Sequence, residues 1–261
     1  MCPDFGYEAS NAILIKSATK SQKLLDRLRA TYPRILTIEE TREYIQNNHC
    51  SLVRLGDAEI ELAMKRSSPN TLSLYYPRLA DQLHKILRAG SSQKVLVCTN
   101  SIPIAGGYGS DWMTYYYLCL FNYRRMHEFY NYSAVYGNAL AFRITSSADV
   151  VLFKRLWDGK KVLFVVSKHG DFEFENDLFC NIKDKAYVYG PESGAHGEYD
   201  SILSRCLKFD KDWLIYLALG ATATVLAWEL TAHGYLAMDL GKLDASYRHM
   251  KAGTDIRKGI T

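Results

Sequence analysis

Trp213-Leu-Ile-Tyr-Leu-Ala-Leu219 runs straight into Gly220-Ala-Thr-Ala-Thr-Val-Leu-Ala-Trp228. An apolar run of that length suits a strand buried on both faces, as strands of parallel sheets are. The glycine and the small residues after it suit a tight turn into a helix. The same alternation extends outward: strands are expected at Ser51–Leu55, Lys94–Cys98, Lys161–Val166, Ala186–Tyr189, Trp213–Leu219 and Tyr235–Asp239, with helical patterns between them. Such a series predicts an α/β fold, a mostly parallel sheet covered by helices on both faces.

Helix ends are readable too. Thr37-Ile-Glu-Glu40 is a capping box opening a helix to about Asn47, since each side chain can satisfy the other residue's backbone donor. Pro77 and Gly90 bracket a helix over 77–89. No linker or internal repeat divides the chain, so one domain is expected over 37–261, preceded by a basic helical arm over 1–36. The arm sets Leu24, Leu25 and Leu28 against Lys20, Lys23, Arg27 and Arg29. Through residues 10–34 it would meet an anionic membrane surface, a partner protein, a second copy of the chain or its own domain.

The 261 residues carry 32 basic and 28 acidic side chains and are 48% hydrophobic, which excludes a disordered or fibrous chain. Three of the four net positive charges fall within residues 1–34. The body is thus nearly neutral and lacks the basic stripe a nucleic-acid surface needs, so no nucleic-acid partner is expected. Six scattered cysteines without a CxxC pair read as reduced thiols, and neither a signal peptide nor a membrane span is evident. A cytoplasmic location, peripheral at the inner face of a membrane if the arm docks there, is the expectation.

Chemistry-bearing residues gather after the strands. Ser51-Leu-Val-Arg-Leu-Gly-Asp-Ala-Glu59 ends a strand at Gly56 and places Asp57 and Glu59 at the sheet edge where open α/β sheets bind ligands. The two carboxylates suit a hard divalent cation, and Arg54 suits phosphate charge. Alternatively, Asp57 N-caps a helix starting near Glu59, with Glu59 and Glu61 serving its dipole. Gly220, Thr222 and Thr224 suit an anion site at a helix N-terminus, or simply a capped strand-to-helix turn. Lys168 to Asp177 is acidic, with Asn176-Asp177 opening a helix; His196, Glu198 and Asp200 lie in a glycine-rich loop; Asp239 and Asp244 follow the last strand. His196, a lone histidine, reads as structural. Nucleotide-binding Gly-x-Gly-x-x-Gly and Walker motifs are absent, as are zinc and G-x-S-x-G signatures.

Ser51-Leu-Val-Arg-Leu-Gly-Asp-Ala-Glu59, Asn176-Asp-Leu-Phe179, Tyr199-Asp-Ser-Ile202, Leu219-Gly-Ala-Thr-Ala-Thr-Val-Leu-Ala227 and Asp239-Leu-Gly241 with Asp244 and Tyr247 together resemble the GT-D-type glycosyltransferases, a bacterial family once known only as a domain of unknown function. The resemblance runs in order from about Thr37 to Met250. It implies a Rossmann-like fold, a UDP-sugar donor, a divalent metal (manganese or magnesium) served by a D-x-E motif at Asp57 and Glu59, and a glycan or glycoprotein acceptor in bacterial surface glycan synthesis. Donor contacts are then expected from Arg54, Gly56, Asn176, Asp177, Gly220, Thr222 and Thr224, and the acceptor base from Asp244, with Glu198 next. The chain departs from the family pattern at Ala221 (usually proline), Ser167-Lys168 (usually Glu-Gly), Glu175 (glycine), Lys242 (histidine) and Ser246 (glutamate). The last two leave open a non-catalytic nucleotide-sugar-binding or scaffolding subunit.

Tyrosine is crowded: eight of the 19 fall between 108 and 136, where an even spread would place about two. Tyr108, Tyr115, Tyr116, Tyr117, Tyr123, Tyr130, Tyr132 and Tyr136, with Trp112, read equally as an acceptor-sugar surface or as core aromatics.

Overall fold

A computed structural model describes residues 33–63, 74–99, 129–170 and 172–254, except the side chains of Asp57 and Glu61. The arm up to residue 32 and the tyrosines from 108 to 123 lie outside the described residues.

Seven strands form one sheet, all pairs parallel: β1 (Ser51–Leu55), β2 (Val95–Thr99), β3 (Gly137–Asn138), β4 (Lys161–Ser167), β5 (Asp184–Gly190), β6 (Trp213–Ala218) and β7 (Leu236–Asp239), in the order β3-β2-β1-β7-β6-β4-β5. Around them stand α1 (Ile38–Asn48), α2 (Asp57–Ala63), α3 (Pro77–Ala89), α4 (Ser147–Trp157), α5 (Tyr199–Cys206), α6 (Ala221–Ala232) and α7 (Leu243–Lys251).

Successive strand side chains divide between two cores, as the two-residue period of a strand requires. Val53, Val97, Leu163, Val165, Ile215, Leu217 and Ala237 face a layer holding α2, α3, α5 and α6, whereas Leu52, Leu96, Phe164, Leu214, Tyr216 and Met238 face one holding α4, α7 and the 139–142 turn. This two-sided burial explains the uninterrupted apolar runs. Helix α6 is buried nearly all round, with Ala223, Thr224, Leu226, Ala227 and Leu230 inaccessible, so its sequence has no polar face to display.

The predicted caps form. Glu40 N–H donates to Thr37 Oγ1 at 3.1 Å, Thr37 N–H donates to Glu40 Oε2 at 2.8 Å, and Pro77 opens α3. Three features depart from expectation. Strand β3 has only two residues, too few to leave an apolar pattern, and pairs Gly137 with Cys98 and Asn138 with Thr99. Strand β5 begins at Asp184 rather than Ala186, because an edge strand tolerates the exposed Asp184 and Lys185. After β4, Phe172, Phe174 and Phe179 pack around Phe164 where a covering helix was expected to start at Asn176-Asp177. Arg34 to Leu36 also belong to the sheet edge, since Leu36 N–H donates to Tyr136 O at 2.8 Å and Tyr136 N–H to Arg34 O at 2.9 Å.

Two of the clustered tyrosines are core residues. Tyr136 is fully buried, its hydroxyl donating to Leu87 O at 2.7 Å, and its ring meets buried Tyr130 edge-on at 5.2 Å. Burial pushes the Tyr136 hydroxyl up to about 12. Packing thus prevails over the acceptor-surface reading for these two, while Tyr132 is exposed.

Candidate functional site

With every strand parallel, the loops after β1, β7, β6, β4 and β5 share one edge of the sheet. Neighbouring strands β1 and β7 send their following helices to opposite faces, α2 to one core and α7 to the other, so their loops diverge, the arrangement that makes a ligand crevice in open α/β sheets.

Strand β1 and the turn after it bring Arg54, Gly56 and Glu59 there. Helix α2 starts directly after the strand, with Ile60 N–H donating to Gly56 O at 3.0 Å. Gly56 is therefore the cap and Asp57 the first helical residue, two positions earlier than the capping alternative required. Buried Glu59 turns back, its Oε2 accepting the Gly56 N–H at 2.9 Å, and a Cβ on Gly56 would press on that oxygen at 3.0 Å. Arg54 extends across the crevice: a Cβ on Gly241 would collide with its guanidinium, and Gly241 has a φ of 53°. A side chain at 241 would strain the backbone and push the Arg54 guanidinium aside, so glycine is favoured there.

Beneath Arg54 lies a buried polar chain. Thr224 Oγ1 stands 2.9 Å from Arg54 O and 2.8 Å from Asp239 Oδ2, while Gly241 N–H donates to Asp239 Oδ1 at 3.2 Å. Burial raises the Asp239 carboxyl above the ordinary carboxylate range against the pull of the Arg54 guanidinium, Thr224 and Gly241. One hydroxyl hydrogen serves one acceptor at a time. The Thr224 hydroxyl thus divides its one hydrogen between Arg54 O and Asp239 Oδ2. Thr224 therefore ties α6, β1 and β7 together rather than facing a ligand. Gly220 caps α6 at a φ of 54°, and Thr222 in the first turn is buried.

Asp244, in the first turn of α7, is buried, and its Oδ2 accepts from Glu173 N–H at 3.1 Å and Arg248 Nη1 at 3.0 Å. Burial raises its carboxyl despite those donors and the Arg248 charge. The buried Tyr216 hydroxyl, also raised by burial, lies near it. Ser246 accepts the Ile144 N–H at 2.9 Å and donates to Leu243 O at 2.6 Å, a structural tie between α7 and the segment before α4.

Other expected residues stand apart. Exposed Asp177 pairs with Lys251 in the last turn of α7 at 2.8 Å, and Lys251 with Tyr247 holds its carboxyl down to about 2. That turn is roughly 10 Å along the helix from Asp244, so Asp177 and the exposed Asn176 before it sit away from the crevice. Glu198 is exposed at the end of a short 3-10 turn, Ala195–Glu198, after β5. The sequence reading named Asp239 only as a candidate and gave Gly241 no role beyond its motif. The signal was the Asp-Leu-Gly step right after a strand, but its meaning depends on an arginine 187 positions earlier.

Among the described residues no three His, Cys, Asp or Glu side chains gather as a metal-binding group, and no helix is long and apolar enough to cross a membrane. Glu59 is the described carboxylate at the turn; the Asp57 side chain lies outside the description. One or two carboxylates fit a magnesium or manganese ion whose remaining ligands are phosphate and water.

The sequence profile of the glycosyltransferase GT-D fold family matches residues 52–261. A probable glycosyl transferase Gly of Streptococcus gordonii is 25% identical over 84% of this chain and 33% of its own length. Glycosyltransferase GlyD of Streptococcus pneumoniae is 26% identical over 83% and 27%. The chain thus spans a third or less of the curated relatives it matches. A solved structure of domain of unknown function 1792, described as having a distinct glycosyltransferase fold, superposes with a TM-score of 0.79 at 30% identity, covering 90% of this chain and 86% of that one.

Proposed function

Because this chain belongs to the glycosyltransferase GT-D fold family, we propose that it transfers a hexose, glucose or galactose, from a UDP-sugar to a glycan or glycoprotein acceptor of the bacterial surface, aided by divalent manganese or magnesium. The observation that carries the reading is the convergence of Arg54, Glu59, the Asp239 and Gly241 loop and the α6 N-terminus on the β1/β7 crevice.

Arg54 offers a permanently charged guanidinium to the donor diphosphate. The early backbone N–H groups of α6 after Gly220, with Thr222, supply neutral donors to the same anion. Asp239 and Thr224 act from beneath, fixing the end of β1 and the loop over which Arg54 lies. Asp57 and Glu59 would hold the divalent ion, which when bound offsets the negative charge of the leaving diphosphate. Asp244 takes the acceptor hydroxyl proton; its raised carboxyl makes it a stronger base than an ordinary aspartate. Glu198 is the second choice. The basic segment 10–34 would bring the domain to a membrane face or a partner transferase in the cytoplasm.

A non-catalytic nucleotide-sugar-binding role is the second reading, favoured by the structural use of Ser246, where the family resemblance expects glutamate. One assay separates the two: UDP release from a panel of UDP-sugars, with and without manganese, by the wild type and Asp57→Ala. Metal-dependent release by the wild type and none by the variant is expected. No release from any donor by the wild type excludes transfer, and equal release by both excludes the metal role.

A further inference from the structure

A cavity of about 330 Å³ lies where the chain enters β1 and β4, set between the last turns of α1 and α4 and strand β7. Buried Ile45, Leu156 and Met238 give it an apolar lining, and His49, Arg155 and Lys160 stand on its wall. His49 and Arg155 are exposed, so the cavity is reached from solvent. Arg54 and Glu59 stand at the opposite edge of the sheet, after β1 rather than before it.

Basic residues near a helix C-terminus complement the helix dipole, and Arg155 and His49 end α4 and α1. Two observations go beyond that role. The first is that no aspartate or glutamate lines the cavity. Among the described residues none of the three basic side chains on its wall pairs with an acid, whereas the next residue, Lys161, is held by Asp212 at 2.7 Å, and Arg42 of α1 by Asp149 at 2.8 Å. Two permanent positive charges and an imidazole around one cavity favour an anion. The second is the backbone of His49, whose φ is 46°, the one positive φ among the described residues other than glycine. Glycine or asparagine holds a left-handed helix end at lower cost, and such strain clusters where a side chain serves a ligand.

From this geometry we propose that the cavity binds a small organic anion, a phosphate or carboxylate head on an apolar group of a few carbons. Arg155, Lys160 and the His49 ring meet the head, and Ile45, Leu156 and Met238 take the apolar group. The volume falls at the lower end of the roughly 300 to 1,000 Å³ of small-molecule sites, room for one head and a short chain. The inference goes beyond the glycosyltransferase reading and does not rest on it, because the two sites share no residue.

The test is isothermal titration calorimetry on the full chain with hexyl phosphate, butyl phosphate and inorganic phosphate. Each methylene buried on the apolar lining strengthens binding about fourfold, so hexyl phosphate should bind about tenfold more tightly than butyl phosphate, and inorganic phosphate more weakly than both. Arg155→Glu reverses a charge at an exposed position and should weaken hexyl phosphate binding about tenfold or more. His49→Gly keeps the left-handed backbone without the ring; it should weaken binding about threefold with no fall in melting temperature. No binding of hexyl phosphate by the wild type, or equal affinity for hexyl and inorganic phosphate, overturns the proposal. Unchanged hexyl phosphate affinity in Arg155→Glu puts the ligand elsewhere and overturns it as well.

Discussion

The β1/β7 crevice and the loop after β5 treat buried polar groups in opposite ways. In the crevice Asp239 accepts from Thr224 and Gly241, Thr224 also meets Arg54 O, and Glu59 closes on Gly56. In the β5 loop His196 is equally hidden and bonds nothing among the described residues. A satisfied network fixes geometry, so the crevice reads as a rigid seat for charge. An unsatisfied ring held by the Tyr76 and Tyr199 rings contributes packing but no directional bond.

That contrast can be broken in graded steps. Asp57→Ala should lower metal-dependent UDP release by about a hundredfold or more, since a bound cation contributes several kcal/mol to leaving-group departure; its urea midpoint should stay near that of the wild type. Gly241→Ala meets both the Arg54 guanidinium and a positive φ. It should cost about 2 to 4 kcal/mol in urea denaturation; a loss below about 1 kcal/mol would show that Arg54 is free to move aside. Thr224→Val removes the hydroxyl between Arg54 O and Asp239 and should cost about 1 to 3 kcal/mol. His196→Phe should have the reverse sign, leaving stability unchanged or raising it by about 1 kcal/mol, because no described bond is lost. A marked fall in the melting temperature of His196→Phe would erase the contrast.

The smallest effect belongs to the surface pair of Asp177 and Lys251. Its folded carboxyl is lowered to about 2, so the pair stabilises above the unfolded value near 4 and is lost as pH falls toward 2. Because both side chains are half-exposed, Lys251→Ala should lower the urea midpoint only slightly at pH 7, and the difference should vanish as the pH falls through 2.

Much of this architecture was legible in the residues. Runs such as Val162 to Val166 declare strands buried on both faces, and Thr37, Glu40, Pro77 and Gly90 mark helix ends through chemistry local to each. Strand β3 escaped because two residues carry no period, and the aromatic cover at Phe172, Phe174 and Phe179 escaped because it replaces a helix by irregular chain. At the site, strand-end carboxylates and glycines point to the C-terminal edge of the sheet, where the structure sets Arg54 against Gly241 and Glu59 against Gly56. In sequence Thr224 suits either an anion contact or a structural turn, because hydroxyls near a helix start look alike, and only the fold shows that this one turns inward to Asp239. His196 reads as structural in sequence, and the fold buries it; that its ring nitrogens lack partners among the described residues is visible only in three dimensions.

The most direct test of the central claim is a crystal structure with manganese and a UDP-sugar, phased to show the metal by its anomalous signal. The account predicts a manganese peak about 2 Å from carboxylate oxygens of Asp57 or Glu59, with the diphosphate over the β1/β7 crevice against Arg54 and the start of α6. A nucleotide bound at another edge of the sheet, or a metal touching neither carboxylate, would contradict it.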